Sequence, residues 1–260
     1  MKIPDFSSPL ENLLQIARDL RSPEGCPWDK EQTHRTVLPH LVEETYEAID
    51  AFRSGDRIHF QEELGDLLFQ IVFHAQLSQE EGGFNFTDIA KTISEKLIRR
   101  HPHVYSETTV TGTEGVLAQW DEIKKKEKPS VQNKQTLEDV PASFPPILKA
   151  QKIQSKVRKL GFDWQDPKGI EKKVEEEWKE LLEAKDLDSR KEELGDLLFT
   201  LINLSYHYGI DPEESLALAN QKFTSRFHKM ERMAGESQKK RNLEEWDRLW
   251  EEAKRENTYG

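Results

Sequence analysis

Apolar residues recur along this chain with the spacing of helices. After Ser7-Ser8-Pro9, a capped start, Leu10, Leu13, Leu14, Ala17 and Leu20 fall on one stripe with a 3.6-residue period. Leu41, Thr45, Ala48, Ile49 and Phe52 trace a second stripe, ended by Ser54-Gly55. Leu64, Leu67, Leu68, Ile71, Val72 and Ala75 form a third, ended by Gly82-Gly83, and a fourth runs from Phe86 to the region of Arg100, halted before Pro102. Alternating patterns of useful length are absent. The pattern predicts an all-α fold whose short connections make neighbouring helices antiparallel bundles.

The pattern then repeats. Glu62-Glu63-Leu64-Gly65-Asp66-Leu67-Leu68-Phe69 returns without change as Glu192-Glu193-Leu194-Gly195-Asp196-Leu197-Leu198-Phe199. Around it, Glu43-Glu44-Thr45-Tyr46-Glu47 aligns with Glu176-Glu177-Trp178-Lys179-Glu180, and Gly25-Cys26-Pro27-Trp28 with Gly161-Phe162-Asp163-Trp164. Lys96 and Arg100 align with Lys222 and Arg226, and Trp120 and Lys124 with Trp250 and Lys254. Two tandem helical repeats are therefore expected, over residues 7–128 and 144–256, joined by a proline-bearing polar linker at 129–143.

Composition narrows the function classes. The chain has 260 residues, 49 acidic against 38 basic, a formal net charge of −11, 33% charged residues and 35% hydrophobic residues. That balance suits helices with solvated faces better than a doubly covered parallel sheet, and its sign disfavours a nucleic-acid surface. The single cysteine, Cys26, excludes an internal disulfide and a cysteine-rich zinc module. The longest apolar stretches are too short to span a bilayer, and the first residues carry no apolar secretion core, so a soluble, cytoplasmic protein with no membrane partner is expected.

The acids carry the candidate chemistry. Glu44 and Glu47 share one helix face, as do Glu63 and Asp66, and a turn near Gly55 brings the pairs opposite one another. The second copy repeats this with Glu177, Glu180, Glu193 and Asp196. Acid-x-x-acid pairs arise by chance about nine times in a chain this acidic, so one pair alone reads as a solvated face. Pairs on consecutive helices, inside apolar stripes and preserved through duplication, read instead as metal ligands. Oxygen donors alone suit Mg²⁺ or Mn²⁺. Ferritin-like iron would need Glu-x-x-His on two helices, which the second copy lacks near its acids. Lys222 and Arg226 lie four apart on one face, Lys254 follows Trp250 by the same interval, and such cations near a metal suit a polyphosphate, with Trp250 or Trp120 available to stack on a base. No glycine-rich phosphate loop occurs.

With these motifs, together with Arg99-Arg100-His101-Pro102-His103-Val104, the chain resembles the MazG family of nucleoside triphosphate pyrophosphohydrolases over essentially its full length. The resemblance implies an all-α NTP pyrophosphatase fold, homodimerisation, and Mg²⁺-dependent cleavage of (deoxy)nucleoside triphosphates to monophosphate and pyrophosphate in nucleotide-pool housekeeping. It implies Glu177, Glu180, Glu193 and Asp196 as catalytic metal ligands, and Lys222, Arg226 and Trp250 as nucleotide contacts. The first-copy equivalents are Glu44, Glu47, Glu63, Asp66, Lys96, Arg100 and Trp120.

Two positions separate the copies: Lys173 stands where the first has His40, and Lys191 where it has Gln61. Extra positive charge near the acids favours the second copy as the catalytic one, with Lys173, Lys191 and Lys254 joining the substrate contacts. Glu176 and its equivalent Glu43 are candidate proton acceptors and substrate neighbours. A helical module that binds nucleotide and Mg²⁺ without turnover is the alternative reading.

Overall fold

The computed structural model describes residues 8–106, 110–127, 136–235 and 242–255, and no strand occurs among them. The fold is all-α. The helices divide into two units at residues 129 and 130. Of the expected boundaries, residues 7, 128 and 256 lie outside the described residues, as does the first part of the linker, 129–135.

The first unit contains α1 (Pro9–Arg21), α2 (Pro27–Glu31), α3 (His34–Ser54), α4 (Arg57–Glu80), α5 (Phe86–Arg100), α6 (Pro102–Tyr105) and α7 (Gly112–Glu127). The long pair α3 and α4 forms its spine, with α1 and α5 packed on α4. Gly55 closes α3 in the left-handed region at φ 77°, a conformation costly for a residue with a Cβ. Asp56 then caps α4 by accepting hydrogen bonds from the backbone N–H groups of Ile58 and His59, each at 3.0 Å. Helix α3 starts earlier than its apolar stripe because Thr33 and Thr36 form a reciprocal cap ahead of it. Ser8 precedes α1 without a capping side-chain bond, so Pro9 at its first turn marks that start.

The second unit contains α8 (Pro146–Arg158), α9 (Pro167–Glu183), α10 (Leu187–His207), α11 (Pro212–Ala234) and α12 (Leu243–Arg255). Helices α9 and α10 repeat the spine, α8 packs on both α10 and α11, and α11 pairs with α12. Asp186 caps α10 as Asp56 caps α4, through the N–H groups of Asp188 and Ser189 at 3.0 and 2.9 Å. Pro167 and Pro212 open α9 and α11 behind the capping residues Asp166 and Asp211. Gly169 lets Trp164 lie against the start of α9; a Cβ there would meet the indole at 2.3 Å.

The cores are thin. Val37, Phe73 and Leu77, with Phe69 against them, form the first unit's buried cluster, and Ile170 is the largest fully buried side chain of the second. Truncating Ile170 to alanine would cost roughly 2–5 kcal/mol by the usual behaviour of buried aliphatic groups. Outside these cores the duplicated apolar stripe stays open: Leu64, Leu68 and Ile71 on α4, and Leu194, Leu198, Phe199 and Leu201 on α10, are all exposed. Gly65 and Gly195 sit on the same helices, and a Cβ at either would meet nothing within 4 Å. Among the described residues, the close helix approach that a mid-helix glycine permits is thus not made at either position.

Candidate functional site

Each spine gathers acids, but not the same three. In the first unit Glu44 of α3 meets Glu63 and Asp66 of α4, with carboxylate oxygens all within 4.8 Å of one another. In the second, Glu177 and Glu180 of α9 meet Glu193 of α10 under the same limit. Glu47 and Asp196 stand outside these trios, yet each still acts on its neighbours. Burial, then the charges of Asp66, Glu47, Glu63 and Glu43, raise the pKa of Glu44 above the ordinary glutamate value. Burial, then Glu180, Glu177, Glu192 and Asp196, raise that of Glu193. Carboxylates pushed upward by one another are stabilised by a bound cation.

The buried member of each trio is compensated differently. Glu63 is 8% exposed. Its Oε1 lies 2.8 Å from His59 Nε2, while its Oε2 is buried with no hydrogen-bond partner. A buried carboxylate oxygen left this way costs about 1–3 kcal/mol or more, so the position fits an oxygen-seeking cation. Glu177 is 4% exposed and takes Lys173 Nζ at 2.7 Å; the same ammonium reaches Glu176 Oε1 at 2.6 Å. Hydrogen bonds to Glu176 and Glu177 hold Lys173 well above the usual lysine range, so it stays charged beside the acids. In the first unit His40 fills that position and bonds Glu43 at 3.2 Å. Lys191 pairs with Asp188 at 3.0 Å, and both side chains are exposed.

The expected nucleotide contacts form a second constellation. Lys222 is exposed on α11, and one turn on, the Arg226 guanidinium carbon lies 5.6 Å from the Trp250 ring centre. The Trp250 ring packs 5.2 Å from Phe223, and Arg226 Nε is buried with no hydrogen-bond partner. Lys254 bonds Glu251 at 2.9 Å. In the first unit Lys96 is half-buried and Trp120 meets His101 edge-on at 5.0 Å. Arg100, however, is paired with Glu127 at 2.6 Å.

Several anchoring residues escape the sequence pattern. Asp163 accepts Asn203 Nδ2 and Trp164 N, each at 2.9 Å, and Arg158 Nε at 2.6 Å, and its Oδ2 lies 3.0 Å from His207 Nε2. Burial works to raise its pKa, but the bonds from Asn203, Arg158, His207 and the Trp164 N–H win and hold it well below the aspartate range. In the first unit Pro27 stands at the aligned position, and the tie between α1 and α4 is instead Arg21 with Glu80 at 2.7–2.9 Å. The repeated Gly-x-x-Trp signature marked this place in both units without revealing its partners.

The fold and the acidic helix pairs define a class: a duplicated all-α protein whose donor sets suit a divalent cation. Residues 32–105 match the MazG nucleotide pyrophosphohydrolase domain, and residues 146–223 the phosphoribosyl-ATP pyrophosphohydrolase domain. The chain is 44% identical to the nucleoside triphosphate pyrophosphohydrolase/pyrophosphatase MazG of Thermotoga maritima, over 94% of this chain and 95% of that protein. It is 44% identical to the nucleoside triphosphate pyrophosphohydrolase of Escherichia coli K12, over 95% and 97% respectively. It is also 45% identical to the uncharacterized protein YabN of Bacillus subtilis, over 92% of this chain and 50% of that one. The chain belongs to the MazG family of nucleoside triphosphate pyrophosphohydrolases.

Proposed function

We propose that this chain hydrolyses (deoxy)nucleoside triphosphates to monophosphate and pyrophosphate in nucleotide-pool housekeeping, with Mg²⁺ as cofactor and Mn²⁺ able to replace it, and with the second unit as the catalytic one. The carrying observation is the acid trio on paired helices, in a chain that matches named pyrophosphohydrolases over 94% and 95% of its length. Both matched domain descriptions name pyrophosphohydrolases.

Glu177, Glu180 and Glu193 would hold the cation, and Asp196 adds charge beside them or completes the shell. When bound, the cation supplies Lewis acidity to the phosphate oxygens and to an attacking water. The chain's own groups do the remainder. Lys173 keeps a fixed positive charge at the edge of the acids, where the incoming tail brings negative charge. Glu176, tied to Lys173, is the candidate proton acceptor. Lys222 and Arg226 meet phosphate oxygens, and Trp250 offers a face to the base. Lys191 and Lys254, each now paired with an acid, would join as outer contacts. Positioning and charge stabilisation supply most of the rate in phosphoryl transfer.

The exposed apolar faces of α4 and α10, and the open sides of Gly65 and Gly195, support a homodimer in which a second copy covers them. Among the described residues no helix is long and apolar enough to cross a membrane, which accords with a cytoplasmic protein. The net charge of −11 argues against a nucleic-acid partner.

The test is pyrophosphate release with Mg²⁺ across a panel of NTPs and dNTPs. Release is expected for several of them. Saturable binding with no release for any would leave a nucleotide-sensing module in place of an enzyme.

A further inference from the structure

Glu127, at the end of α7, grips the first unit's arginines from inside the chain. Its Oε2 accepts hydrogen bonds from Arg100 Nη2 at 2.6 Å and Arg100 Nε at 3.1 Å, and its Oε1 accepts one from Arg99 Nε at 2.6 Å. The clasp is partly shielded, with the Arg100 and Glu127 side chains 24% and 16% exposed. Hydrogen bonds from Arg100 and then Arg99 pull the Glu127 pKa down to about 2, so the carboxylate is ionised at neutral pH.

Among the described residues the second unit shows no such clasp. Arg226 occupies the place of Arg100, but Ser225 replaces Arg99, and in the sequence the count from the paired tryptophans aligns Glu127 with Asn257, which lies outside the described residues. Arg226 Nε is buried and unsatisfied among the described residues. Glu251 is near enough for Arg226 to help lower its pKa, yet its hydrogen bond goes to Lys254. A half-buried guanidinium with an open donor is ready for an anion, and carboxylate and phosphate present it with the same forked acceptor.

We propose that Glu127 is a built-in competitor for the phosphate of a nucleotide: it occupies Arg99 and Arg100, and the first unit takes up a nucleoside triphosphate only as this clasp opens. The inference rests on the reading of Arg226, and hence Arg100, as a phosphate contact. It adds a difference between the copies that their acid trios do not show. Among the described residues the second unit's Arg226 Nε meets no acceptor, whereas the first unit must release an internal anion before accepting an external one.

The test uses the full chain carrying Arg226→Ala, which removes the second unit's arginine contact. Calorimetric titration with Mg²⁺ and an α,β-methylene nucleoside triphosphate reads what remains. Adding Glu127→Gln should tighten binding about fivefold, the scale of a partly exposed ion pair. Adding Arg100→Ala to that variant should remove the gain. Glu127→Asp, which keeps the charge but shortens the reach, should tighten binding by a smaller factor and guards against loss of folding in the glutamine variant. Unchanged, weaker or absent binding in both Glu127 variants would overturn the proposal and leave Glu127 as a staple between α5 and α7. Pyrophosphate release by the wild-type chain separates the two readings. Release without tightening sinks only the competitor, and tightening without release sinks only the hydrolase.

Discussion

The two units begin from the same eight-residue block and arrive at different sites. On the first spine, α4 supplies two acids and α3 one; on the second, α9 supplies two and α10 one. The buried acid faces a histidine from its own helix in the first unit and a lysine in the second. The arginine expected to meet phosphate is clasped by Glu127 in the first, whereas in the second its Nε meets no acceptor among the described residues. Duplication preserved the ligands while the surrounding charges diverged. The acids that could hold a metal recur in both units, whereas the charges around them do not.

The sharpest way to break this comparison is to neutralise one equivalent acid at a time. Glu193→Gln should lower kcat by about a hundredfold or more, as expected when a group that holds charge at the reacting centre is lost. Glu63→Gln should leave most of the pyrophosphate release intact. The measurement is steady-state release with saturating Mg²⁺. If only the first-unit change abolishes turnover, the catalytic assignment belongs to the other copy.

A smaller contrast lies in how each unit fastens its first helix. Asp163 joins α8 to α10 through Arg158, Asn203 and His207 in a partly buried network, while Arg21 of α1 reaches Glu80 of α4 at a more exposed edge. Asp163→Asn should cost about 2–3 kcal/mol in urea denaturation at pH 7, because charged donors lose their anion. Glu80→Gln should cost about 1 kcal/mol or less. The pH dependence has a definite sign. Asp163 has a folded pKa below the ordinary aspartate value of 3.8, so its contribution is present above that pH and is lost as pH falls toward the folded value. The gap between wild type and Asp163→Asn should therefore narrow on acidification below pH 3.8. Equal costs at Asp163 and Glu80 would remove this distinction between the units.

The helices and acids were legible in the sequence because both are encoded locally. Apolar spacing marks a helix, and residues three apart must share a face. Which three acids converge was not legible. It depends on how far each helix is rotated, so Glu47 drops out of one trio and Asp196 out of the other. The anchors were hidden for a related reason. Asp163 meets Asn203 and His207 across 40 and 44 positions, and Arg100 meets Glu127 across 27. No local period registers a pairing that only packing creates. Lys173 shows the middle case: its place near the acids followed from spacing, but its direct bonds to Glu176 and Glu177 needed the fold.

Those bonds give the comparison its finest test. Lys173 sits four residues before Glu177, so one helical turn fixes it beside a buried acid of the trio proposed to hold the cation, where its charge would oppose cation binding and favour a phosphate tail. Removing it should move the two affinities in opposite directions. In Lys173→Met, the KM for nucleoside triphosphate should rise about tenfold, the loss expected for one charge-assisted contact, with kcat changed less. Mn²⁺ titrated alone should bind a few-fold more tightly, since an ammonium no longer neutralises Glu177. The equivalent change in the first unit, His40→Met, should move neither quantity, because His40 bonds Glu43 rather than an acid of the trio. A parallel loss of nucleotide and metal affinity in Lys173→Met would mean that the lysine only braces α9. The extra charge would then no longer distinguish the second unit from the first.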